Sequence, residues 1–226
     1  MERIPEPELM LDGEQALAYS RGDFEEPHSR IVAEFCRRFP DLPRQGNLLD
    51  LGCGPGDITL RLARRLPAWQ IDGIDGSPAM LALGRQAVAA EPDLEGRVRL
   101  IEGLIPEVPL PRACYEAIFS NSLLHHLPDP AVLWRTIRQS AGAGTAVYVA
   151  DLFRASSREV AADLVLRYSA NEPEVLKRDF FNSLCAAFTP EEVRAQLAAA
   201  GLTFLRVETL SDRHLVVWGR FGAETG

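Results

Sequence analysis

The sequence predicts an α/β fold: a mostly parallel, seven-stranded sheet with helices on both faces and an antiparallel last hairpin. Three observations carry this expectation. From Asn47 onward, short apolar strands alternate with helical stretches at α/β spacing. The strands are continuous apolar runs, without the in/out alternation of a sheet that has one face in water. The last two apolar runs, residues 202–210 and 214–221, are joined by Ser211-Asp212-Arg213, a connection short enough to require an antiparallel pair.

Each element has a local cause. The first helix spans about residues 28–39, with Ile31, Val32, Phe35 and Phe39 on one face and Arg30, Glu34 and Arg38 on the other, closed by Pro40 and Pro43. Residues 47–51 form a buried strand ending in glycines, and residues 58–66 a helix with Ile58, Leu62 and Leu66 aligned. Residues 69–75 are the second strand. Ser77 then caps a helix with Pro78 at its first position, where the missing N–H costs nothing. Residues 97–101 and 115–119 are the third and fourth strands. Asp129-Pro130 repeats the cap-plus-proline device, and residues 145–152 make the fifth strand. Residues 156–188 read as helical, interrupted at Pro173. Thr189-Pro-Glu-Glu192 is a capping box opening a helix that ends at Gly201. Two parts follow: an N-terminal arm and helix, residues 1–45, expected to cover the site, and a core, residues 46–226, with a helical insertion at about 155–188.

Composition narrows the function. The chain has 226 residues, 46% of them hydrophobic, and a formal net charge of -8. At roughly 150 residues per domain this is one domain with a core of its own. The acidic balance, with pI near 5.1, disfavours a nucleic-acid partner, which calls for a basic stripe. No run approaches the roughly 18 apolar residues of a membrane span. The acidic, proline-broken start does not read as a secretory signal. Cys36, Cys53, Cys114 and Cys185 show neither CxxC pairing nor a cluster with zinc spacing, so they read as buried or half-buried thiols of a cytoplasmic protein, and no metal is expected.

The chemistry is concentrated in Leu48-Leu-Asp-Leu-Gly-Cys-Gly-Pro-Gly-Asp57, a glycine loop between a strand and a helix. A dinucleotide fingerprint needs G-x-G-x-x-G. Here the spacing is G-x-G-x-G, and Asp57 stands where the third glycine belongs, a carboxylate at a helix N-terminus that would repel a pyrophosphate. No Gly-Lys-Ser/Thr follows, so a P-loop is excluded as well. Nineteen residues beyond Gly56, Asp75 ends the second strand, where a carboxylate grips a ribose diol. An acidic loop, a ribose carboxylate and no phosphate site together suit S-adenosylmethionine, whose ammonium and sulfonium are both cationic.

The segments LLDLGCGPGD, GIDGSPAML and FSNSLLHHLPDP, within residues 47–154, resemble the class I S-adenosylmethionine-dependent methyltransferases, with a Rossmann-like sheet. The resemblance implies that Asp50, Gly52 and Gly54 wall the methionine end and that Asp75 binds the ribose. It puts Gly76, Ser77 and Met80 on the adenine side and Asn121 and Ser122 beneath the sulfonium. Relatives often carry an acid for the adenine amino group two positions after the third strand, where this chain has Leu104. Either the backbone of Gly103-Leu104 takes that role, or Glu102 does in a shifted register.

The resemblance implies an acceptor site built from the N-terminal arm and the insertion near the fifth strand, which here offer Tyr19, Asp23, Phe24 and His28, and Arg154, Tyr168, Asn171, Asp179 and Asn182. Tyr19 is expected over the cofactor as part of a lid, and His28 and His126 are the candidate bases. His125 and His126, being adjacent, are expected to diverge, one of them serving structure. Methyl transfer to a small-molecule acceptor by in-line displacement is the leading reading, in a monomer or homodimer. The alternatives are a non-catalytic cofactor-binding module and a nicotinamide-dependent oxidoreductase.

Overall fold

The computed structural model describes residues 1–6 and 25–222. Seven strands form one sheet: β1 Gly46–Leu51, β2 Trp69–Asp75, β3 Val98–Glu102, β4 Tyr115–Asn121, β5 Ala141–Leu152, β6 Arg206–Thr209 and β7 His214–Arg220. Their order is β3-β2-β1-β4-β5-β7-β6. The first five run parallel to their neighbours, and β7 lies antiparallel to both β5 and β6. The helices are α1 Glu25–Arg38, α2 Asp57–Arg65, α3 Pro78–Ala89, α4 Ala131–Ser140, α5 Arg158–Tyr168, α6 Glu174–Ala186 and α7 Pro190–Ala199.

The apolar runs are continuous because neighbouring residues enter cores on opposite faces. Leu49, Ile118, Val147 and Val217 join one core with Trp134 of α4 and Leu197 of α7. Leu48, Phe119, Tyr148 and Val216 join the other with Phe35 of α1 and Leu62 of α2. On that second face Phe35 sits edge-on to Phe119 and Tyr148, at centroid distances of 5.6 and 5.8 Å, and Phe119 stacks on Tyr148 at 5.3 Å. This ring cluster fixes α1 on the sheet. A third core, with Leu152, Leu164 and Leu184, seats α5 and α6 beyond the end of β5.

The residues immediately around the expected caps behave as their chemistry requires. Ser77 Oγ accepts from Met80 N, and Thr189 and Glu192 close the capping box in both directions. Asp129 Oδ1 accepts from Ala131 N, but Pro130 stands at the cap itself, so α4 starts one residue later than the cap-plus-proline pattern implies. The stretch 156–188 is two helices parted around Pro173, and β6 is shorter than its apolar run because residues 202–205 close a turn, Leu205 N donating to Leu202 O. Cys114 is exposed, against the expectation of buried or half-buried thiols, because it precedes the point where β4 enters the sheet. No described helix is long and apolar enough to cross a membrane.

The first six residues pack against the insertion. The N-terminal ammonium donates to Ser156 O and Ile4 N to Cys185 O. The Arg3 guanidinium donates to the carbonyls of Ala186, His125 and Leu127 and lies over the Phe188 ring.

Replacing Phe35 by Ala removes the hub of the aromatic cluster. It is expected to cost about 3–5 kcal/mol of unfolding free energy, read as a lower urea midpoint.

Candidate active site

The strand order reverses between β1 and β4, so the loops leaving these two strands diverge and open a crevice at the carboxyl end of the sheet. A cavity of about 370 Å³ occupies it. Asp50, Gly52, Gly54, Asp75, Gly76, Ser77, Met80, Gly103, Leu104, Asn121 and Ser122 all line this cavity, as do His28 and His126. Tyr19, Asp23 and Phe24 lie outside the described residues.

The glycine loop is shaped by backbone that side chains resist. Gly52 has φ +73°, and a Cβ there would meet Leu123 at 2.9 Å. Gly54 has φ +53°, with nothing within 4 Å of where its Cβ would stand, so the loop presents bare backbone to the cavity. Across the crevice Ser122 holds φ 55°, an unusual conformation for a residue with a side chain. It is held there by its N–H to Ala150 O, and Asn121 Nδ2 donates to its hydroxyl.

Two carboxylates dominate the electrostatics. Asp50, at the end of β1, is buried and accepts a hydrogen bond from Thr59 Oγ1 at 2.6 Å. Burial, with repulsion from Asp75, pushes its carboxyl up to about 7. Asp75 accepts from Gly54 N and Ser77 N, each at 2.8 Å, and desolvation raises it too, against the pull of those two bonds. The backbone thus aims the Asp75 carboxylate along the glycine loop.

Asp57 behaves differently from the expectation built on its charge. It opens α2, but His28 Nδ1 lies 2.6 Å from its Oδ2, and Arg61 Nε donates to the same oxygen at 2.9 Å. Burial opposes its ionisation, yet those hydrogen bonds hold it down to about 2. Its charge is therefore offset on the spot by His28 and Arg61. Arg61 also donates to Ser29 and Glu25, so the same network ties α1 to α2.

The histidine pair also departs from expectation. The rings of His125 and His126 do not diverge; their centroids are 4.2 Å apart at 36°, because both turn toward Glu6. His125 is the structural member: its Nδ1 meets Asp151 Oδ1 at 2.5 Å, and Asp151 is in turn held by Leu124 N and Leu152 N. Burial disfavours its imidazolium, but Asp151 outweighs this and raises it.

Of the residues expected at the acceptor, Tyr168 and Asp179 line the cavity. Arg154 does not: it turns away to Glu192 Oε1 at 2.6 Å, beside the cap of α7. Asn171 and Asn182 are not among the lining residues, and neither is Glu102, whereas Gly103 and Leu104 are. Leu104 is 46% exposed, an apolar surface next to backbone. Sequence reasoning missed Glu6, Arg213 and His214. Glu6 reaches the site across some 120 residues of chain, and no spacing announces that.

A family model described as a methyltransferase domain matches residues 48–144. Among curated relatives, a trans-aconitate 2-methyltransferase of Streptomyces coelicolor is 32% identical over 183 residues, 77% of this chain and 57% of its own length. One from Escherichia coli O157:H7 is 41% identical over 106 residues, 47% of this chain and 38% of its own. The chain thus spans about half the length, or less, of these relatives. A SAM-dependent methyltransferase structure from Aquifex aeolicus superimposes with TM-score 0.66 at 17% identity, over 92% of this chain and 98% of that one. A putative S-adenosyl-L-methionine-dependent methyltransferase from Methanococcus maripaludis gives 0.70 at 18%, over 95% of both chains. With the reversed sheet, the glycine loop and the carboxylate pair already in place, residues 48–144 match the methyltransferase-domain family, and the chain has the fold of S-adenosylmethionine-dependent methyltransferase structures.

Proposed function

We propose that this chain binds S-adenosylmethionine in the crevice between β1 and β4 and catalyses transfer of its methyl group to a small-molecule acceptor. The observation that carries this reading is a pair of carboxylates, buried Asp50 and half-buried Asp75, facing one cavity beside a loop of bare backbone. Asp50 carries a desolvated charge with no guanidinium or ammonium bonded to it among the described residues, which suits the ammonium of the methionine end. Asp75, oriented by two backbone N–H groups, keeps the lone pairs to accept from a ribose diol. Met80, Gly76, Ser77, Gly103 and Leu104 form the adenine side, and Asn121 and Ser122 the floor below the sulfonium.

When bound, the sulfonium supplies an already activated methyl, so the chain's own work is alignment and exclusion of water. His28, oriented by Asp57, and His126, beside Glu6, are the bases able to take a proton from an acceptor. Pro27, His28 and Ile31 bring α1 to the cavity rim, which supports the N-terminal part, residues 1–45, as its cover. Four cysteines without a disulfide and a net charge of -8 support a cytoplasmic enzyme with no nucleic-acid partner, as a monomer or homodimer.

Trans-aconitate, the acceptor in the relatives' name, is a tricarboxylate. Among the described residues lining the cavity, Arg213 is the one permanent cation, against Asp50, Asp57, Asp75, Glu172 and Asp179. Burial lowers His214 to about 4, so it adds no charge near neutrality. A less anionic acceptor fits this wall better.

S-adenosylhomocysteine should bind in calorimetry, whereas a protein that ignores it while retaining a nicotinamide nucleotide would overturn the reading. An ammonium needs Asp50 ionised, and its carboxyl sits near 7 in the ligand-free protein. Affinity should therefore fall as pH drops below 7, by up to about tenfold per pH unit. Asp50→Asn should weaken binding and flatten that profile. Asp75→Ala should weaken it about 10- to 100-fold, as expected for lost charge-assisted hydrogen bonds. Assayed with labelled methyl donor, trans-aconitate should give no turnover above background; rapid turnover would refute the acceptor argument and leave methyl transfer standing.

A further inference from the structure

We propose that Glu6, His125 and His126 form a binding site for a divalent transition-metal cation of the zinc class. Glu6 Oε1 lies 3.5 Å from His125 Nε2 and 3.4 Å from His126 Nδ1, and the three candidate ligand atoms all fall within 4.8 Å of one another. Zinc bonds to nitrogen and carboxylate oxygen are about 2.0–2.1 Å, which makes the edge of a regular zinc tetrahedron about 3.3–3.4 Å. The two Glu6 separations match that edge. They are poor as hydrogen bonds: Glu6 Oε1 is buried and makes none among the described residues, although buried oxygens are nearly always bonded.

The surroundings have the form of a metal site's outer shell. Asp151 Oδ1 meets His125 Nδ1 at 2.5 Å, which places the proton on that nitrogen and leaves Nε2, the atom facing Glu6, as the one with a lone pair to give. Ser183 hydrogen-bonds the Glu6 carboxyl. Arg3 ties the segment carrying Glu6 to the carbonyls of His125 and Leu127, on the turn that carries both histidines. A dication balances the two buried carboxylates, Glu6 and Asp151. Two imidazoles and one carboxylate suit zinc or its borderline neighbours rather than magnesium or calcium.

A metal on Nδ1 takes the lone pair of His126, so with the ion bound His28 is the remaining base; three protein ligands leave a fourth position open, and both histidines line the cavity. That position would take an oxygen, nitrogen or sulfur atom of a small molecule bound there. This last consequence rests on the proposed methyl transfer; the metal site itself stands on the side chains alone.

The test is calorimetric titration of the full, metal-stripped chain with Zn²⁺, with Co²⁺ as a visible-absorption probe. The expected result is one equivalent bound at micromolar or tighter affinity, with cobalt bands of a four- or five-coordinate site. Glu6→Gln and His126→Ala should each weaken Zn²⁺ at least tenfold, and Asp151→Asn about 10- to 100-fold through His125. Metal-free melting curves of each variant check that it folds, and the near-isosteric Glu6→Gln keeps the test valid if the others do not. Absence of stoichiometric Zn²⁺, or equal affinity in wild type and Glu6→Gln, overturns the proposal. The second outcome assigns the metal to other groups, such as exposed Cys114, and Cys114→Ser would then abolish it. Titration of the same preparation with S-adenosylhomocysteine fails or succeeds independently, so loss of one reading is distinguishable from loss of the other.

Discussion

The reversal of strand order between β1 and β4 is the constraint on which the rest of this molecule depends. Parallel strands send their connections back over one face or the other, and at the reversal two adjacent connections leave in opposite directions. Asp50, the glycine loop, Asn121 and Ser122 all sit at this one place, because β1 and β4 end there. Asp75 joins them because β2 pairs with β1 in register, Ile74 opposite Leu51.

The electrostatics of the opening follow from what the chain pairs and what it leaves unpaired. Asp57 has His28 and Arg61 beside it and is thereby neutralised within the protein. Asp50 and Asp75 have only hydroxyl and backbone donors, so their charge is expressed into the cavity. A desolvated carboxylate without a cation destabilises the folded chain until a cation arrives. In the proposed function the same two residues would repel a diphosphate and attract an ammonium and a sulfonium.

The histidine side of the cavity is assembled from segments far apart in the chain. The first six residues, the turn after β4, the end of β5 and α6 meet around Glu6, His125 and Asp151. Arg3 fastens these pieces through carbonyl groups rather than through a carboxylate partner, so the contact depends on backbone placement. The packing of α5 and α6 on Leu152 and Leu184 is therefore what positions this half of the site.

The sheet, its hairpin, the caps at Ser77 and Thr189 and the residues of the glycine loop were legible in the chain, because each depends on spacing within about ten residues: apolar period, cap chemistry, glycine placement. The residues expected at the cofactor were legible as lining of one cavity for the same reason, lying at or near strand ends that the periodicity marks. The charge state of Asp57, the convergence of His125 and His126 and the arrival of Glu6 were not. Each is decided by a partner brought from another element: His28 of α1 at Asp57, Asp151 of β5 at His125, the N-terminal segment at His126. Sequence alone determined where the backbone must turn and which residues the strand ends carry. Tertiary structure decided which of those groups are ionised and what they face, since electrostatic energy depends on distance through space and on burial, and neither is a function of distance along the chain.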